Sequence, residues 1–416
     1  MPPLRHLTGS ARPAVLLALG LTVWVVGCKS PKPDPNPPPH YLAPVVTDLS
    51  PTAEPYPPTE REVATAMAAG AALRPPAAHA RPLNVLALSG GGQYGSYAAG
   101  LLIGWTARGD RPQFDVVTGI SSGALLAPMA FLGPKYDPVM QRVFSTLKTE
   151  QVFKYKPILV HIIRDKSLAT SDPLRDLIAE VINDEFLCDL RAAHAAGRRL
   201  FIGTINLHTR RMTVWDLGAV ASGDRPDRDD LVRKILLASS SIPGLTRPVE
   251  LAVEVNGACV TELHGDAGGV SQTFVKFGAH HPRPDPADPT AKWLAGSNLY
   301  AIAGGKLYLD PLKGEIGFIA RASGAVSATL YALFRADLWR LYGLCATSGM
   351  RFHLAAVPRE IPIPSGSTTF DPELQLRLFT TGYDQMKCGN PWRPTPPGVE
   401  PGEEEFPRTG LRFTVP

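Results

Sequence analysis

The chain has 416 residues, 44% of them hydrophobic, and a formal net charge of +4 at neutral pH. That length and apolar content suit one large α/β core rather than a string of small modules. The charge is too modest for a nucleic-acid surface, and Lys and Arg are scattered, with no basic stripe interleaved with aromatic residues.

Arg5 and Arg12 form a basic leader, and Ala14 to Val26 is an apolar run too short to span a bilayer comfortably. The run ends in Val25-Val26-Gly27-Cys28, which resembles the lipobox of bacterial lipoproteins. This predicts a signal peptide over 1–27 and a lipid anchor on Cys28. An ordinary signal peptide, or an anchor helix with a chance cysteine, is the plainer alternative. Lys29 rather than Asp follows the cysteine, which by resemblance to bacterial sorting implies a lipid-anchored envelope protein of the outer membrane, on its periplasmic or surface face. Residues 28–81 read as a linker. Its proline-crowded part, to about residue 60, cannot form a core and runs extended as a spacer, and Glu60 to Ala72 has the composition of a short helix.

Leu83 to Leu88 is an apolar strand that runs into Ser89-Gly90-Gly91-Gly92-Gln93-Tyr94-Gly95, and a helix is predicted from Ser96 to about Arg108. Three consecutive glycines are costly to order and pack nothing, so their use is a backbone that approaches a ligand and aims several N–H groups at it. A P-loop would need a Gly-Lys-Ser/Thr ending, which is absent. Gly90, Gly92 and Gly95 fit the dinucleotide fingerprint, and Asp115 falls near the position of its acidic residue. Asp115 heads the next strand instead of ending it, however, so the loop reads as an oxyanion hole built on Gly90, Gly91 and Gly92.

Phe114 to Thr118 is a β-branched strand followed by Gly119-Ile120-Ser121-Ser122-Gly123 and a helix-forming stretch from Ala124. In a Gly-x-Ser-x-Gly elbow a strained turn lifts the serine above the sheet edge, and the small flanking residues let strand and helix close together. Ser121 is the candidate nucleophile; a strand-to-helix turn with a capping serine is the bland reading of the same five residues. The apolar stretch from Phe131 to about Leu187 reads as packing helices or as the wall of an acyl-chain pocket. Strands are predicted over Arg199–Leu207 and Arg211–Asp216, a helix over Asp230–Ser240, a strand near Asn298–Ala303, a long helix over Ala320–Tyr342, and a last strand over Phe352–Val357. Alternation of this kind gives an α/β fold: a mostly parallel sheet with helices on both faces and the active centre at the strands' C-terminal edge.

A serine hydroxyl needs a base. Asp266, in Gly265-Asp266-Ala267-Gly268-Gly269, sits in a glycine-rich turn that can be brought against another element, although an Asx-turn aspartate is the commoner reading of such a residue. His264, His280, His281 and His353 are the downstream histidines a conventional triad would draw on. Cys188, Cys259, Cys345 and Cys388 remain after the leader. They allow three disulfide pairings or none, and no cysteine or histidine spacing suggests a metal.

Taken together, Gly90 to Gly95, Gly119 to Gly123 and Asp266-Ala267-Gly268 resemble the motifs of the patatin-like phospholipases, in the family's order. Leu237-Ala238-Ser239-Ser240-Ser241-Ile242-Pro243 resembles that family's helix-ending segment. The resemblance implies the family's three-layer architecture over an acyl hydrolase domain at 82–389, and the Pro-, Glu- and Gly-rich composition of 390–416 reads as an irregular tail. It also implies a Ser121–Asp266 dyad without histidine, cofactor or metal, cleaving lipid or other acyl esters. Two positions depart from the pattern. Tyr94 stands where the family often carries Arg or Lys, so that cation must come from elsewhere or be absent, and Ala267 stands where glycine is commonest. An esterase or thioesterase on soluble acyl substrates, and a lipid-binding lipoprotein with weak turnover, are the alternatives.

Overall fold

Alternate residues of the central strands bury into two separate apolar clusters, and this organises the protein. In strand β2 (Asn84–Leu88), Leu86 and Leu88 join one cluster while Val85 and Ala87 join the other. The period of two puts successive side chains on opposite faces, so a strand apolar at nearly every position must be covered on both sides. The coordinates are a computed structural model. It describes residues 45–46, 81–155, 167–255, 258–275, 294–310, 317–362, 369–401 and 403. The leader, Cys28, most of the linker including Glu60–Ala72, and His280 and His281 lie outside the described residues.

The other strands are β1 (Val45–Val46), β3 (Val116–Gly119), β4 (Lys154–Tyr155), β5 (Ala169–Thr170), β6 (Arg199–Asn206), β7 (Arg211–Asp216), β8 (Val249–Val255), β9 (Ala258–Asp266), β10 (Asn298–Ile302) and β11 (Arg351–Ala355). The helices are α1 (Gly95–Arg108), α2 (Ser122–Leu132), α3 (Asp137–Ser145), α4 (Thr149–Val152), α5 (Asp172–Val181), α6 (Asp184–Ala195), α7 (Leu217–Ser222), α8 (Arg228–Ser239), α9 (Phe318–Ser348) and α10 (Pro372–Cys388). Strands β11, β10, β2, β3 and β6 are parallel, in that spatial order, and β7 and β1 continue the sheet antiparallel. The face carrying Leu86 and Leu88 packs on α1 to α8 and α10, and the opposite face packs on α9 through Phe334, Leu338 and Leu341. The fold is thus α/β with a mostly parallel sheet between two helical layers. Each fully buried Leu, Val or Phe contributes about 1.5–3 kcal/mol.

Two features were not anticipated from the sequence. Strands β8 and β9 form an antiparallel hairpin, and β9 also pairs with β6. Helix α10 packs along α1. From Asn390 the described chain is irregular yet anchored, with Arg393 bridging to Leu354 and the Trp392 ring 5.1 Å from Trp105. The four described cysteines are free thiols, with Cys345 buried and Cys188 and Cys388 exposed.

Candidate active site

Strand β6 brings the two key residues together. Along one edge it pairs with β3 as far as Gly119↔Ile202. There β3 ends and the chain turns into the serine elbow. The vacated part of the same edge is taken by β9, with Thr204 opposite Asp266. Ser121 lies two residues beyond Gly119, and Asp266 lies opposite the β6 position two residues beyond Ile202. The two side chains therefore meet: the Ser121 hydroxyl stands beside the Asp266 carboxylate and favours its charged form.

The elbow is strained in the way its sequence predicts. Ser121 has φ 57°, in the left-handed region that a non-glycine residue adopts at a cost of about 1–3 kcal/mol. Gly119 and Gly123 are required by close approach. A Cβ on Gly119 would lie 2.5 Å from the Gly123 carbonyl oxygen, and one on Gly123 would lie 2.5 Å from that of Leu88. Helix α2 begins directly after the nucleophile, and the N–H groups of Ala124 and Leu125 donate to the Ser121 carbonyl. Its N-terminus thus favours negative charge beside the serine. The Ser122 hydroxyl is buried, lines the same cavity, and has no hydrogen-bond partner among the described residues.

The serine run after α8 ties the elbow to the aspartate. Ser121 N–H donates to Ser239 Oγ at 3.1 Å, and Ser239 Oγ donates to the Gly203 carbonyl at 2.7 Å. Ser240 Oγ donates to the Ser121 carbonyl at 3.4 Å, while Asp266 N–H donates to the Ser241 carbonyl at 2.8 Å. The sequence flagged this segment only by family resemblance, and its positioning role becomes visible when the hydrogen bonds are laid out.

Asp266 is buried, and it also accepts from the Gly268 N–H at 2.8 Å. The Asx-turn reading of this residue is therefore correct as local geometry. Burial pushes the carboxyl up to about 6, against the lowering by the Ser121 and Gly268 hydrogen bonds. Among the described residues no cation stands against it to reverse that shift.

The glycine loop needs one correction. Gly90 N–H donates to the Gln272 carbonyl at 3.1 Å, so it is engaged in holding the loop and is not a donor for an oxyanion. Gly91 and Gly92 keep N–H groups without a partner among the described residues, and all three glycines line the cavity. Gly91 is in tight contact with the turn after β10: a Cβ there would lie 1.8 Å from the Gly304 carbonyl oxygen. The Gln272 backbone is itself fixed by Asp337 of α9, which accepts from Gln272 N–H at 2.7 Å.

The other candidates fall elsewhere. Asp115 lies at the opposite end of β3, where it accepts from the Arg81 guanidinium at 2.7 and 3.0 Å and from Asn84 N–H at 2.9 Å. It is an ion-pair partner far from the glycine loop, which removes the dinucleotide reading. His264 is fully buried between Glu262 (2.8 Å) and Thr204 (2.9 Å). His353 sits mid-strand in β11, stacked on Tyr300. Among the described residues no histidine lines the cavity, and no cluster of His, Cys, Asp or Glu could hold a metal ion.

The cavity has a volume of about 560 Å³, within the usual range for small-molecule sites. Its polar floor is the glycine loop with Ser121 and Asp266. Its walls include Val143, Phe144, Val152, Phe153, Leu174 and Leu177, from the stretch that the sequence left open between packing and pocket. Those side chains do both. Tyr94 also lines the cavity, and a lysine the sequence did not single out, Lys306, enters the wall from the turn after β10.

No curated protein matches the sequence. The crystal structure of VipD from Legionella pneumophila is similar at 12% identity and a TM-score of 0.41, with 73% of this chain and 66% of that chain covered. The chain thus spans slightly under two thirds of that protein's length. The family model for patatin-like phospholipase matches residues 86–274, a stretch that holds the glycine loop, the elbow, the serine run and Asp266. Over those residues, the chain is similar to the patatin-like phospholipases.

Proposed function

We propose that the protein is a serine acyl hydrolase that cleaves carboxylic esters of lipids through an acyl-Ser121 intermediate. The observation that carries this reading is the Ser121 hydroxyl set beside a buried aspartate at the floor of an apolar cavity. Asp266 takes the Ser121 proton as Oγ attacks the acyl carbonyl. The N–H groups of Gly91 and Gly92, with the N-terminus of α2, receive the developing oxyanion. Asp266 then protonates the departing alcohol, and in the second half it draws a proton from water attacking the acyl-enzyme. A carboxyl pushed up to about 6 suits both duties better than an ordinary aspartate would, because proton transfer is most efficient when the base titrates near the working pH.

The test is hydrolysis of p-nitrophenyl acyl esters and mixed phospholipids by the full chain in detergent, with Ser121→Ala and Asp266→Asn beside it. Loss in both variants, with a fluorophosphonate adduct mapped to Ser121, supports the reading. A folded protein with neither turnover nor adduct is a lipid binder instead.

The address is a second part of the proposal and rests on sequence. Cys28 is lipidated, and residues 28–81 tether the domain to the bacterial envelope, at the outer membrane. No helix among the described residues is long and apolar enough to cross a membrane. Incorporation of an alkynyl fatty acid that disappears in Cys28→Ala is the expected result, and equal labelling of the variant would refute it.

A further inference from the structure

Strand β9 carries Glu262, His264 and Asp266 at alternate positions, so the three side chains project from one face. The proposed mechanism uses Asp266 alone. Its two neighbours belong to a chain of hydrogen bonds that crosses the adjacent strands β7, β6 and β9. Trp215 Nε1–H on β7 donates to Thr204 Oγ on β6 at 2.8 Å. Thr204 Oγ stands 2.9 Å from His264 Nδ1, and His264 Nε2 stands 2.8 Å from Glu262 Oε2. Giving each proton one acceptor makes the Thr204 hydroxyl donate to Nδ1 and the Nε2–H donate to the Glu262 carboxylate. Trp215, Thr204 and His264 are fully buried, and the Glu262 side chain is only 7% exposed. A broken link in this setting is costly, because the freed groups have no water to turn to.

The chain crosses a short joint. Three residue pairs join β9 to β6: Asn206↔His264, Ile205↔Gly265 and Thr204↔Asp266. Thr204 thus faces Asp266 across the ladder, while its hydroxyl reaches diagonally to His264, two residues earlier on the same face. A slip of one residue would turn Asp266 to the other face and away from Ser121. It would turn His264 away from Thr204 as well, so the diagonal bond fits one register only. Trp215 fixes the Thr204 hydroxyl from the far side, and Glu262 fixes the imidazole.

We infer that Thr204 and His264 are positioning residues, whose side-chain bond locks β9 in the register that presents Asp266 to Ser121. The inference rests on the reading of Asp266 as the base. A histidine thereby serves the site without touching substrate.

The test is hydrolysis of p-nitrophenyl esters by the full chain in detergent, each variant being assayed well below its own unfolding temperature. Thr204→Val keeps the shape and removes the hydroxyl. It lowers kcat about tenfold or more with KM within about twofold, and Thr204→Ser retains most of the activity. His264→Gln places its amide where Nε2 stood, loses the bond to Thr204 and behaves as Thr204→Val does. His264→Asn places its amide where Nδ1 stood, keeps that bond and retains more activity. This second pair carries the test should Thr204→Val not fold. Added to Asp266→Asn, Thr204→Val costs less than about twofold further, since an absent base cannot be misplaced. Unchanged kcat in both Thr204→Val and His264→Gln would overturn the inference, and so would an equal loss with and without Asp266. The lock is also read without turnover, by amide hydrogen exchange over residues 258–266. Exchange there speeds up about tenfold or more in Thr204→Val and His264→Gln but little in Thr204→Ser, and uniform exchange in all of them would overturn the inference. A parent that locks β9 in this way but hydrolyses nothing would instead defeat the functional reading.

Discussion

Two aspartates stand at opposite edges of the same parallel strands. Asp115, at the N-terminal edge, accepts from a bidentate Arg81 and a backbone N–H. Asp266, at the C-terminal edge, is buried beside the Ser121 hydroxyl and the Gly268 N–H, and its carboxyl is pushed up to about 6. The first edge satisfies its charge and thereby stabilises the fold. The second leaves a charge under-compensated beside a strained serine and thereby stores the capacity to move a proton. The same residue type is satisfied by charge pairing at one edge and left with a raised proton affinity at the other, according to what stands around it.

The largest break in this comparison is Ser121→Ala, which should abolish ester turnover, a loss on the order of 10³-fold or more in kcat, with the Asp115 edge untouched. Asp266→Asn should lower kcat by roughly 10²–10⁴-fold, the usual worth of a positioned base. It should also stabilise the protein. The folded carboxyl titrates at about 6, above its unfolded value near 4. The folded state therefore holds the extra proton across that window, and stability falls as pH rises through it. Above pH 6 the deficit is complete, at most about 3 kcal/mol, and the asparagine should recover part of it. Thermal unfolding at pH 8 and pH 4 checks this, with the variant's advantage shrinking at the acid end.

The pH profile of the parent enzyme sharpens the point. A base titrating at about 6 should make kcat/KM fall tenfold per pH unit below that value. A limb near pH 4 would assign the proton transfer elsewhere. A smaller effect is expected from Ser239→Ala, which removes the acceptor of the Ser121 N–H and should cost about 1–3 kcal/mol of stability and roughly tenfold in kcat with KM nearly constant. The smallest effect on activity should come from Asp115→Asn. Turnover should stay within about twofold while chemical denaturation shows a loss of about 1–2 kcal/mol, since Arg81 is partly exposed and its pairing is screened.

The comparison also shows why some parts of the site were legible in sequence and others were not. The glycine loop and the elbow are local. Their geometry is forced by small residues within a few positions, and helix α1 starts within a residue of where the pattern puts it. Asp266 was legible as a turn residue, but strand β9, which delivers it, was not, because its pairing with β6 is a long-range event. Gly90 was read with its neighbours as an oxyanion donor, and only the approach of Gln272, far along the chain, takes its N–H away. Lys306 and Asp337 left no signal at all, since a single charged residue between apolar ones carries no period.

By itself the sequence determined the strand–glycine loop–helix and strand–elbow–helix units and the two-sided burial of the central strands, because these follow from side-chain period and backbone sterics within short windows. Tertiary structure alone decided that β3 ends where β9 begins along β6, that Asp266 meets Ser121 in a buried setting that raises its affinity for a proton, and that the turn after β10 lines the cavity. These are matters of register and desolvation. They arise when distant segments share one sheet edge and exclude water together, and no local window of sequence contains that information.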